Sequence, residues 1–224
     1  MAETAIIIPL RDGDSPDPAD ETLRRQTYQD FAACGIPDEG HGAPWARNRG
    51  ADGVAATPFI LFSDADLRWE PDALVRMRMA LDEHPECDYA YGPWILEGGR
   101  GAEFVGGQIP FDPEALCSLH GYSYIHTSSL IRREKFLGFD DTLTVFQDWE
   151  LWGRMWIWQG SRGAYCGDAP LFRTKFDPHG ISGATPMRAE KRMQVLARFQ
   201  SLLAVKDLER RGLLAPRKRP VMNA

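Results

Sequence analysis

The chain has 224 residues, a net charge of −6, and hydrophobic and aromatic contents of 43% and 11%. This length and composition are those of an ordinary globular protein, and they support one sizeable hydrophobic core in a single domain. No apolar run approaches the roughly 18 residues that span a bilayer, and the N-terminal segment lacks the basic flank of a signal peptide. The negative charge argues against extensive nucleic-acid binding through the whole surface.

The four cysteines are far apart and none belongs to a CxxC pair, so we expect neither a zinc site nor a disulfide framework. They predict buried, reduced thiols in a cytoplasmic protein. The tail, residues 206–224, differs in charge from the remainder because it holds six basic and two acidic residues. We interpret it as a solvated helix end and terminus, although its charge leaves contact with nucleic acid, or a peripheral position at a membrane, open.

The first predicted elements alternate between strand and helix. Residues 4–10, TAIIIPL, have the β-branched density of an inner strand, with Pro9 at its carboxyl end. Apolar positions near helical spacing predict a first helix over residues 21–31. Residues 32–44 leave room for only a stub of strand before a turn, and residues 45–56 have the pattern of a second helix.

The chain is organised around residues 58–67, PFILFSDADL. The apolar run at 59–62 predicts a strand buried on both faces, and such strands belong to mostly parallel sheets whose ligands bind beyond the carboxyl ends. If the extended geometry continues, Asp64 and Asp66 point to the same side. Paired carboxylates predict a hard divalent cation that keeps sites open for the phosphates of a nucleoside diphosphate. The triplet alone also suits a helix cap or a turn.

The remaining pattern completes an α/β fold. The predicted elements are a helix over 71–83, a strand over 88–96, a glycine-rich loop over 98–107, a short helix over 112–119, a strand over 122–131, a helix over 148–158, a strand over 163–175 and a final helix over about 186–210. Alternating strands and helices predict a doubly wound, mostly parallel central sheet flanked by helices. The tryptophans of the 148–158 helix recur near helical spacing, which predicts core packing.

Four sequence blocks carry a family resemblance. They are IIIPL with QTY at 26–28, ARNRGAD at 46–52, FILFSDADLRWEPDAL at 59–74, and SSLIRREKFLGFDDTLTVFQDWELWGRM at 128–155. In this order the blocks resemble glycosyltransferase family 2, whose members use nucleotide sugars and have the GT-A fold. The resemblance implies one GT-A (Rossmann-like) domain over residues 1–205, with a nucleotide-binding half at about 1–97 and an acceptor half at about 98–205, followed by the basic tail.

The resemblance also implies roles for individual residues. Asp66 would bind Mn²⁺ or Mg²⁺, and Asp64 would contact the ribose or the sugar of the donor. Asp148 would be the general base that deprotonates the acceptor hydroxyl, although at the start of its predicted helix it also suits a simple cap. A late histidine often reaches the metal or diphosphate in this family, which makes His179 a candidate ligand. The other histidines, His126 included, have no such positional support.

The rest of the donor site would come from strand ends and the start of the second helix, at Pro9, Leu10, Asp38 and Arg47. Asp38 is a loose match to the acid that binds the nucleobase, because the second strand of the relatives is contracted here. Arg47 at a helix entrance suits anionic groups, and a surface arginine is the competing interpretation. Gln147 stands where relatives have a glutamate, directly before the aspartate of the helix start.

The resemblance implies metal-dependent, inverting transfer of a sugar from a nucleoside-diphosphate donor, with UDP as the expected nucleotide, to a hydroxyl acceptor such as a glycan or a lipid-linked sugar. Two alternatives stay open. A sugar nucleotidyltransferase would want a glycine-rich, basic phosphate loop, whereas residues 11–20, RDGDSPDPAD, are acidic. A catalytically silent binding module of the same fold is favoured by the contracted second strand and by Gln147.

Overall fold

The computed structural model describes residues 2–15, 17–54, 56–98, 104–175 and 185–215. In chain order its elements are β1 (Thr4–Leu10), α1 (Asp17–Arg24), β2 (Phe31–Pro37), α2 (Ala43–Gly53), β3 (Phe59–Phe62), β4 (Arg68–Trp69), α3 (Ala73–Glu83), β5 (Tyr89–Tyr91), β6 (Trp94–Glu97), β7 (Phe104–Gly106), α4 (Pro113–Cys117), β8 (Leu130–Arg132), a 3-10 turn (Arg133–Lys135), α5 (Gln147–Gln159), β9 (Gly163–Tyr165), β10 (Phe172–Lys175) and α6 (Thr185–Arg210). Within these residues, no helix is both long and apolar enough to cross a membrane.

The central sheet has six strands in the order β2-β1-β3-β8-β5-β9. Strands β2, β1 and β3 run parallel, as do β5 and β9, whereas β8 lies antiparallel between β3 and β5. This mixed sheet flanked by helices confirms the predicted α/β fold class. The parallel strands bring the carboxyl ends of β1, β2 and β3 to one edge, where sheets of this kind bind their ligands.

A second sheet of four strands, in the order β4-β10-β6-β7, flanks that edge. The segments 88–96 and 163–175, each predicted as one strand, are in fact two strands apiece that belong to different sheets. Pro93 has no N–H to offer a ladder, and its carbonyl accepts instead from the backbone N–H of Leu171 at 2.7 Å. The chain therefore changes sheets at Pro93.

The prediction of a mere strand stub over residues 32–44 is wrong. Strand β2 is a full strand of seven residues, and all seven pair in register with β1. It lies at the edge of the sheet and is largely exposed, so its sequence, FAACGIP, carries no continuous apolar run.

Two further element boundaries differ from the predictions. The first helix ends at Arg24 and not near residue 31. Beyond it Gln26 fastens the chain to the start of α3, because its side chain donates to the Glu70 carbonyl at 2.7 Å and accepts from the Leu74 N–H at 3.0 Å. The strand predicted over 122–131 is limited to β8, so residues 122–129 form an irregular segment that leads into it.

Apolar clusters cover both faces of the central sheet, one beneath α5 and α6 and the other beneath α3. Trp149 and Trp152 of α5 are fully buried, which confirms their predicted place in the core. Helix α5 packs closely on α6 at Gly153, where a Cβ atom would lie 2.2 Å from Phe199 Cζ. The buried Glu150 adds ion pairs to Arg154 and Arg198, so the start of α5 is held firmly in place.

The close approach at Gly153 makes a prediction about stability. Gly153→Ala should lower the free energy of unfolding by about 1–3 kcal/mol, because the added methyl group overpacks a well-filled contact. Gly53→Ala is the matched control, since its Cβ would meet nothing within 4 Å. The control should be neutral or stabilising by up to about 1 kcal/mol through helix propensity. Urea denaturation of the two variants measures the difference, and equal effects would contradict the packing at Gly153.

Candidate functional site

The ends of β1 and β2 meet at the carboxyl edge of the central sheet. The backbone N–H of Asp38 donates to the Leu10 carbonyl at 2.8 Å, directly after buried Pro9. The Asp38 side chain is 8% exposed, and its Oδ1 accepts from the Gly40 N–H at 3.0 Å in a tight turn. The structure therefore brings together the predicted donor residues of the first two strands, although one oxygen of Asp38 is already engaged within the turn.

Asp64 and Asp66 follow the end of β3, but the extended geometry does not continue through them. The Leu67 N–H donates to the Asp64 carbonyl at 3.2 Å, so the chain turns at this point. The extended geometry on which the prediction of a shared side depended therefore ends before these two residues. The two side chains have different partners: Asp64 pairs with Arg47, and exposed Asp66 accepts from Thr174 Oγ1 through its Oδ2 at 2.7 Å.

Arg47 is buried at this edge of the sheet, where it binds two other side chains, and it is not a surface residue. Only 4% of it is exposed, and its guanidinium lies 5.4 Å from the centroid of the Phe139 ring. Nη2 donates to Asp64 Oδ1 at 2.5 Å, and Nη1 donates to Gln147 Oε1 at 2.7 Å. A buried cation is costly unless it is paired and hydrogen-bonded, and these two partners engage both of its terminal nitrogens. Within the described residues, its buried Nε has no hydrogen-bond partner. Arg47 thereby joins the end of β3 to the start of α5.

The next residue of α2 strengthens the same junction. The Asn48 side chain donates to the Phe139 carbonyl at 2.9 Å and accepts from the Phe139 N–H at 2.7 Å. This pair of hydrogen bonds clamps the segment that precedes α5 onto α2. The ARN sequence therefore places two adjacent side chains of α2 against Phe139 and Gln147, at the segment that leads into α5.

The pKa of Asp64 reflects two opposing causes. Burial raises it, but the charge of Arg47 and its hydrogen bond outweigh burial, so the pKa of Asp64 lies below its usual value. The carboxylate is therefore ionised throughout the neutral range. An ionised carboxylate in this position can accept hydrogen bonds from the hydroxyls of a ligand without needing a proton of its own.

Asp148 lies inside the first turn of α5, and the N-cap residue is Phe146 in a left-handed conformation with φ 60°. A simple capping role for Asp148 is therefore wrong. Its Oδ1 accepts from the Trp149 N–H at 2.8 Å, and the side chain is half-buried. Burial raises the pKa of Asp148, with the Trp149 hydrogen bond a partial offset. A carboxylate of raised pKa is a better proton acceptor than one in open solvent.

The histidine that the sequence interpretation set aside, His126, belongs to this site. It lies in the irregular segment before β8, and the charges of Asp64, Asp148 and Asp66 all act on its pKa. Burial nevertheless dominates and lowers the pKa of the ring. No local motif marks this residue, because only the pairing of β8 between β3 and β5 brings it to the edge.

Asp66 is the residue predicted to bind a Mn²⁺ or Mg²⁺ ion. Within the described residues, no group of three or more His, Cys, Asp and Glu side chains is arranged to hold a metal ion. A Mg²⁺ or Mn²⁺ ion that arrives with a diphosphate needs only one or two protein carboxylates. Asp66 fits that requirement, because it is exposed and its one hydrogen-bond donor is the neutral hydroxyl of Thr174. His179 lies outside the described residues, so its role as a ligand stays a prediction.

A cavity of about 110 Å³ lies between the start of α2 and the segment before α5, lined by residues that include His41, Pro44, Thr144 and Gln147. Sites for small organic ligands usually measure about 300–1,000 Å³, so this cavity is too small for a nucleotide sugar.

The mixed six-stranded sheet flanked by helices is a fold of the GT-A glycosyltransferase type. The same fold occurs in S. aureus TarS, a GT-A-type glycosyltransferase. TarS 1–349 in complex with UDP-GlcNAc superposes with a TM-score of 0.68 at 15% identity, covering 93% of this chain and 67% of that one. The complex with UDP gives 0.63 at 15% identity, over 96% and 73% of the two chains.

The likeness to TarS is one of fold. A longer TarS structure gives a TM-score of 0.61 at 15% identity and covers 93% of this chain, which spans only 40% of that TarS chain. No family model matches the sequence. No curated protein matches it either. The activity of the chain therefore has to be argued from its own site residues.

The pairing of Asp64 with Arg47 predicts a pH-dependent contribution to stability. The pKa of Asp64 is lower in the folded than in the unfolded state, so the contribution is complete above the unfolded value near 3.9 and is lost as the pH falls through the folded value. Asp64→Asn should lower the free energy of unfolding by about 1–3 kcal/mol at pH 7, less than a fully buried pair because a third of the side chain is exposed.

The measurement is urea denaturation of wild type and Asp64→Asn at pH 7, 5 and 3. The difference between the two proteins should shrink towards pH 3. Asp66→Asn is the control, since substitution of an exposed side chain should change stability by no more than about 0.5 kcal/mol. A difference for Asp64→Asn that stays constant with pH would show that the ion pair does not stabilise the fold.

Proposed function

We propose that the protein is a glycosyltransferase that moves a sugar from a nucleoside-diphosphate donor, with UDP as the expected nucleotide, to an acceptor hydroxyl with inversion of the anomeric carbon. The observation that carries the proposal is the position of Asp148. This carboxyl group of raised pKa stands in the first turn of α5, and Arg47 links that turn to Asp64 at the end of the central strand. The proposed proton acceptor, Asp148, and the proposed donor-side carboxylate, Asp64, are thus linked through the hydrogen bonds of Arg47.

On the donor side, the chain offers the ends of its three parallel strands. Asp38 would face the nucleobase, and Pro9 and Leu10 would form the strand end beneath it. Ionised Asp64 would accept hydrogen bonds from the ribose or sugar hydroxyls, because its partner Arg47 holds it in its charged form. Support for a nucleotide sugar also comes from TarS, whose fold is the same and whose structures hold UDP and UDP-GlcNAc.

On the acceptor side, Asp148 removes the proton from the attacking hydroxyl. The acceptor oxygen forms its bond to the anomeric carbon as the bond from that carbon to the diphosphate oxygen breaks, and the diphosphate leaves with the electron pair. A sugar hydroxyl is too weak an acid to ionise alone near pH 7, so a base within hydrogen-bond reach accelerates the reaction by roughly 10²- to 10⁴-fold. Attack from the face opposite the leaving group inverts the anomeric carbon.

Asp66 would hold the Mn²⁺ or Mg²⁺ ion that comes with the diphosphate, with His179 as a second candidate ligand. When bound, such an ion neutralises the negative charge that grows on the leaving diphosphate. Thr174 holds Asp66 in place by its hydrogen bond to Oδ2, so the orientation of this carboxylate depends on strand β10 of the second sheet.

The departure from the family at Gln147 does not by itself favour a silent binding module. Its Oε1 accepts from Arg47, so the residue has a defined task at the junction even without a charge. Donor hydrolysis in the absence of acceptor, followed as UDP release, separates an enzyme from a binding module. A nucleotidyltransferase would instead release inorganic diphosphate from a nucleoside triphosphate and a sugar phosphate.

Substitution of the proposed base tests the mechanism directly. Asp148→Asn keeps the size of the side chain and its ability to accept from the Trp149 N–H, but it cannot take up a proton. Transfer should therefore fall by roughly 10²- to 10⁴-fold, whereas the affinity for the donor and the melting temperature should stay close to those of wild type. Stopped assays with radiolabelled donor measure the rate, and calorimetry measures the affinity. Near-parental transfer, or a product that retains the donor's anomeric configuration, would refute single displacement.

Loss of the proposed metal ligand should give the opposite pattern. Asp66→Asn should abolish the Mn²⁺-dependent part of the affinity for UDP and leave the melting temperature of the metal-free protein unchanged within a few degrees, because the side chain is exposed. For wild type, UDP with Mn²⁺ at 100 times its dissociation constant should stabilise the fold by about 2.7 kcal/mol. A thermal-shift titration of both proteins makes the comparison, and an equal Mn²⁺-dependent shift in the variant would exclude Asp66 as the ligand.

A further inference from the structure

The backbone around His126 is fixed to the helix that carries the proposed base. Trp152 Nε1 donates to the Ile125 carbonyl at 3.1 Å, and Trp152 is fully buried within α5. Ser129 Oγ donates to the carbonyl of His126 itself at 2.8 Å. The segment before β8 is therefore irregular but tied down, and the position of the His126 ring follows that of α5.

The orientation of the ring is fixed as well. Its centroid lies 5.3 Å from that of Trp94 and 4.8 Å from that of Phe172, both from the second sheet. The Ser128 N–H donates to His126 Nδ1 at 3.0 Å, which requires that Nδ1 carry no proton. The single ring hydrogen of the neutral imidazole is consequently on Nε2. Burial lowers the pKa of His126 and so keeps this neutral form at physiological pH.

Within the described residues, the hydrogen bond from Ser128 is the only one that the ring makes. The Nε2–H group is thus a fixed, neutral donor without a protein acceptor in that part of the chain. The side chains whose charges reach it are the carboxylates of Asp64, Asp148 and Asp66, together with the guanidinium of Arg47. The arrangement offers one neutral donor beside three carboxylates, which accept, and one guanidinium whose terminal nitrogens already donate to Asp64 and Gln147.

A hydroxyl group is the ligand that this combination suits. A hydroxyl oxygen accepts one hydrogen bond and donates another, so it can take the proton of Nε2–H and give its own to a neighbouring carboxylate. A phosphate oxygen only accepts and is negatively charged, so the same carboxylates would repel it. An ammonium group would meet the N–H of His126 with another donor. A sugar carries several hydroxyls at the end of the donor that must approach Asp148.

We propose that His126 is a specificity-determining residue whose Nε2–H donates to one hydroxyl of the transferred sugar, with an adjacent carboxylate accepting from the same hydroxyl. This inference rests on the proposed function, because it assumes that a nucleotide sugar binds along the edge. It assigns His126 to the sugar and not to the nucleotide. UDP alone should therefore bind without its help.

The test compares two substitutions of His126: one keeps an acceptor like Nδ1, and the other keeps a donor like Nε2–H. His126→Asn keeps an acceptor near the position of Nδ1 for the Ser128 N–H but lacks the distal donor. His126→Gln reaches the position of Nε2 with an amide N–H. In calorimetry with Mn²⁺, His126→Asn should weaken UDP-GlcNAc binding roughly tenfold and change UDP binding less than about twofold, as expected for one lost hydrogen bond. His126→Gln should restore most of the affinity for UDP-GlcNAc.

Deoxy donors supply a readout that a purely structural role would not change. UDP-GlcNAc analogues that lack the 3-, 4- or 6-hydroxyl are titrated into wild type and into His126→Asn. One analogue should bind wild type roughly tenfold more weakly than the parent donor does. The corresponding loss should be smaller in His126→Asn, because one of the two partners of that hydroxyl is already gone. UDP-glucose and UDP-galactose repeat the comparison with other sugars.

Each result decides a separate question. Equal weakening of UDP and UDP-GlcNAc by His126→Asn would overturn the assignment to the sugar, as would deoxy donors whose losses are the same in both proteins. If His126→Asn does not fold, wild type with the deoxy donors still decides, because full affinity for every analogue means that no hydroxyl is recognised. If wild type binds UDP-GlcNAc and the other UDP-sugars no more tightly than UDP, the inference is overturned, although nucleotide binding still holds. Failure of wild type to bind any of these nucleotides would overturn the proposed function itself.

Discussion

The ion pair between buried Arg47 and half-buried Asp64 is the constraint on which the candidate site depends. A guanidinium removed from water costs several kcal/mol unless its charge and its N–H groups are satisfied. Here an acid from the end of β3 and an amide from the start of α5 accept from its two terminal nitrogens. Because breaking these bonds would leave a buried charge unpaired, the distance between Asp64 and the first turn of α5 is set by one side chain of α2. The geometry of the whole edge thus follows from a single buried cation.

Gln147 is uncharged, and this determines the balance of charge around Arg47. A glutamate at the same position would place two carboxylates on one guanidinium, and mutual repulsion would raise the pKa of one of them. With an amide there, Asp64 is the only acid among the described residues with which Arg47 forms an ion pair, and the pKa of Asp64 stays low. The junction thus carries one carboxylate and one amide on a single guanidinium, and burial of Asp148, next along the helix, raises the pKa of that carboxyl.

The sequence predicted those parts of the site that local patterns encode. The apolar run before Asp64, the ARN block and the start of α5 each carry their signal within a few residues, so the central strand, Arg47 and Asp148 could be found without a structure. Strand β2 could not, because an edge strand needs no apolar run. Nor could His126, since neither its spacing nor its neighbours mark it and only the long-range pairing of β8 delivers it to the edge.

The insertion of β8 between β3 and β5 also governs the order in which the chain can fold. Strands β3 and β5 are joined only through β8, which pairs with both of them. The edges of β3 and β5 that face β8 therefore stay unpaired until residues 130–132 have been synthesised. Exposed ladder edges are sites of mispairing between chains, and closure by a distant strand is slow. The N-terminal strands must therefore wait for a segment of the other half. The step that joins β3 to β5 through β8 also delivers His126 to the edge, so a chain caught before that step has neither a continuous sheet nor a complete candidate site.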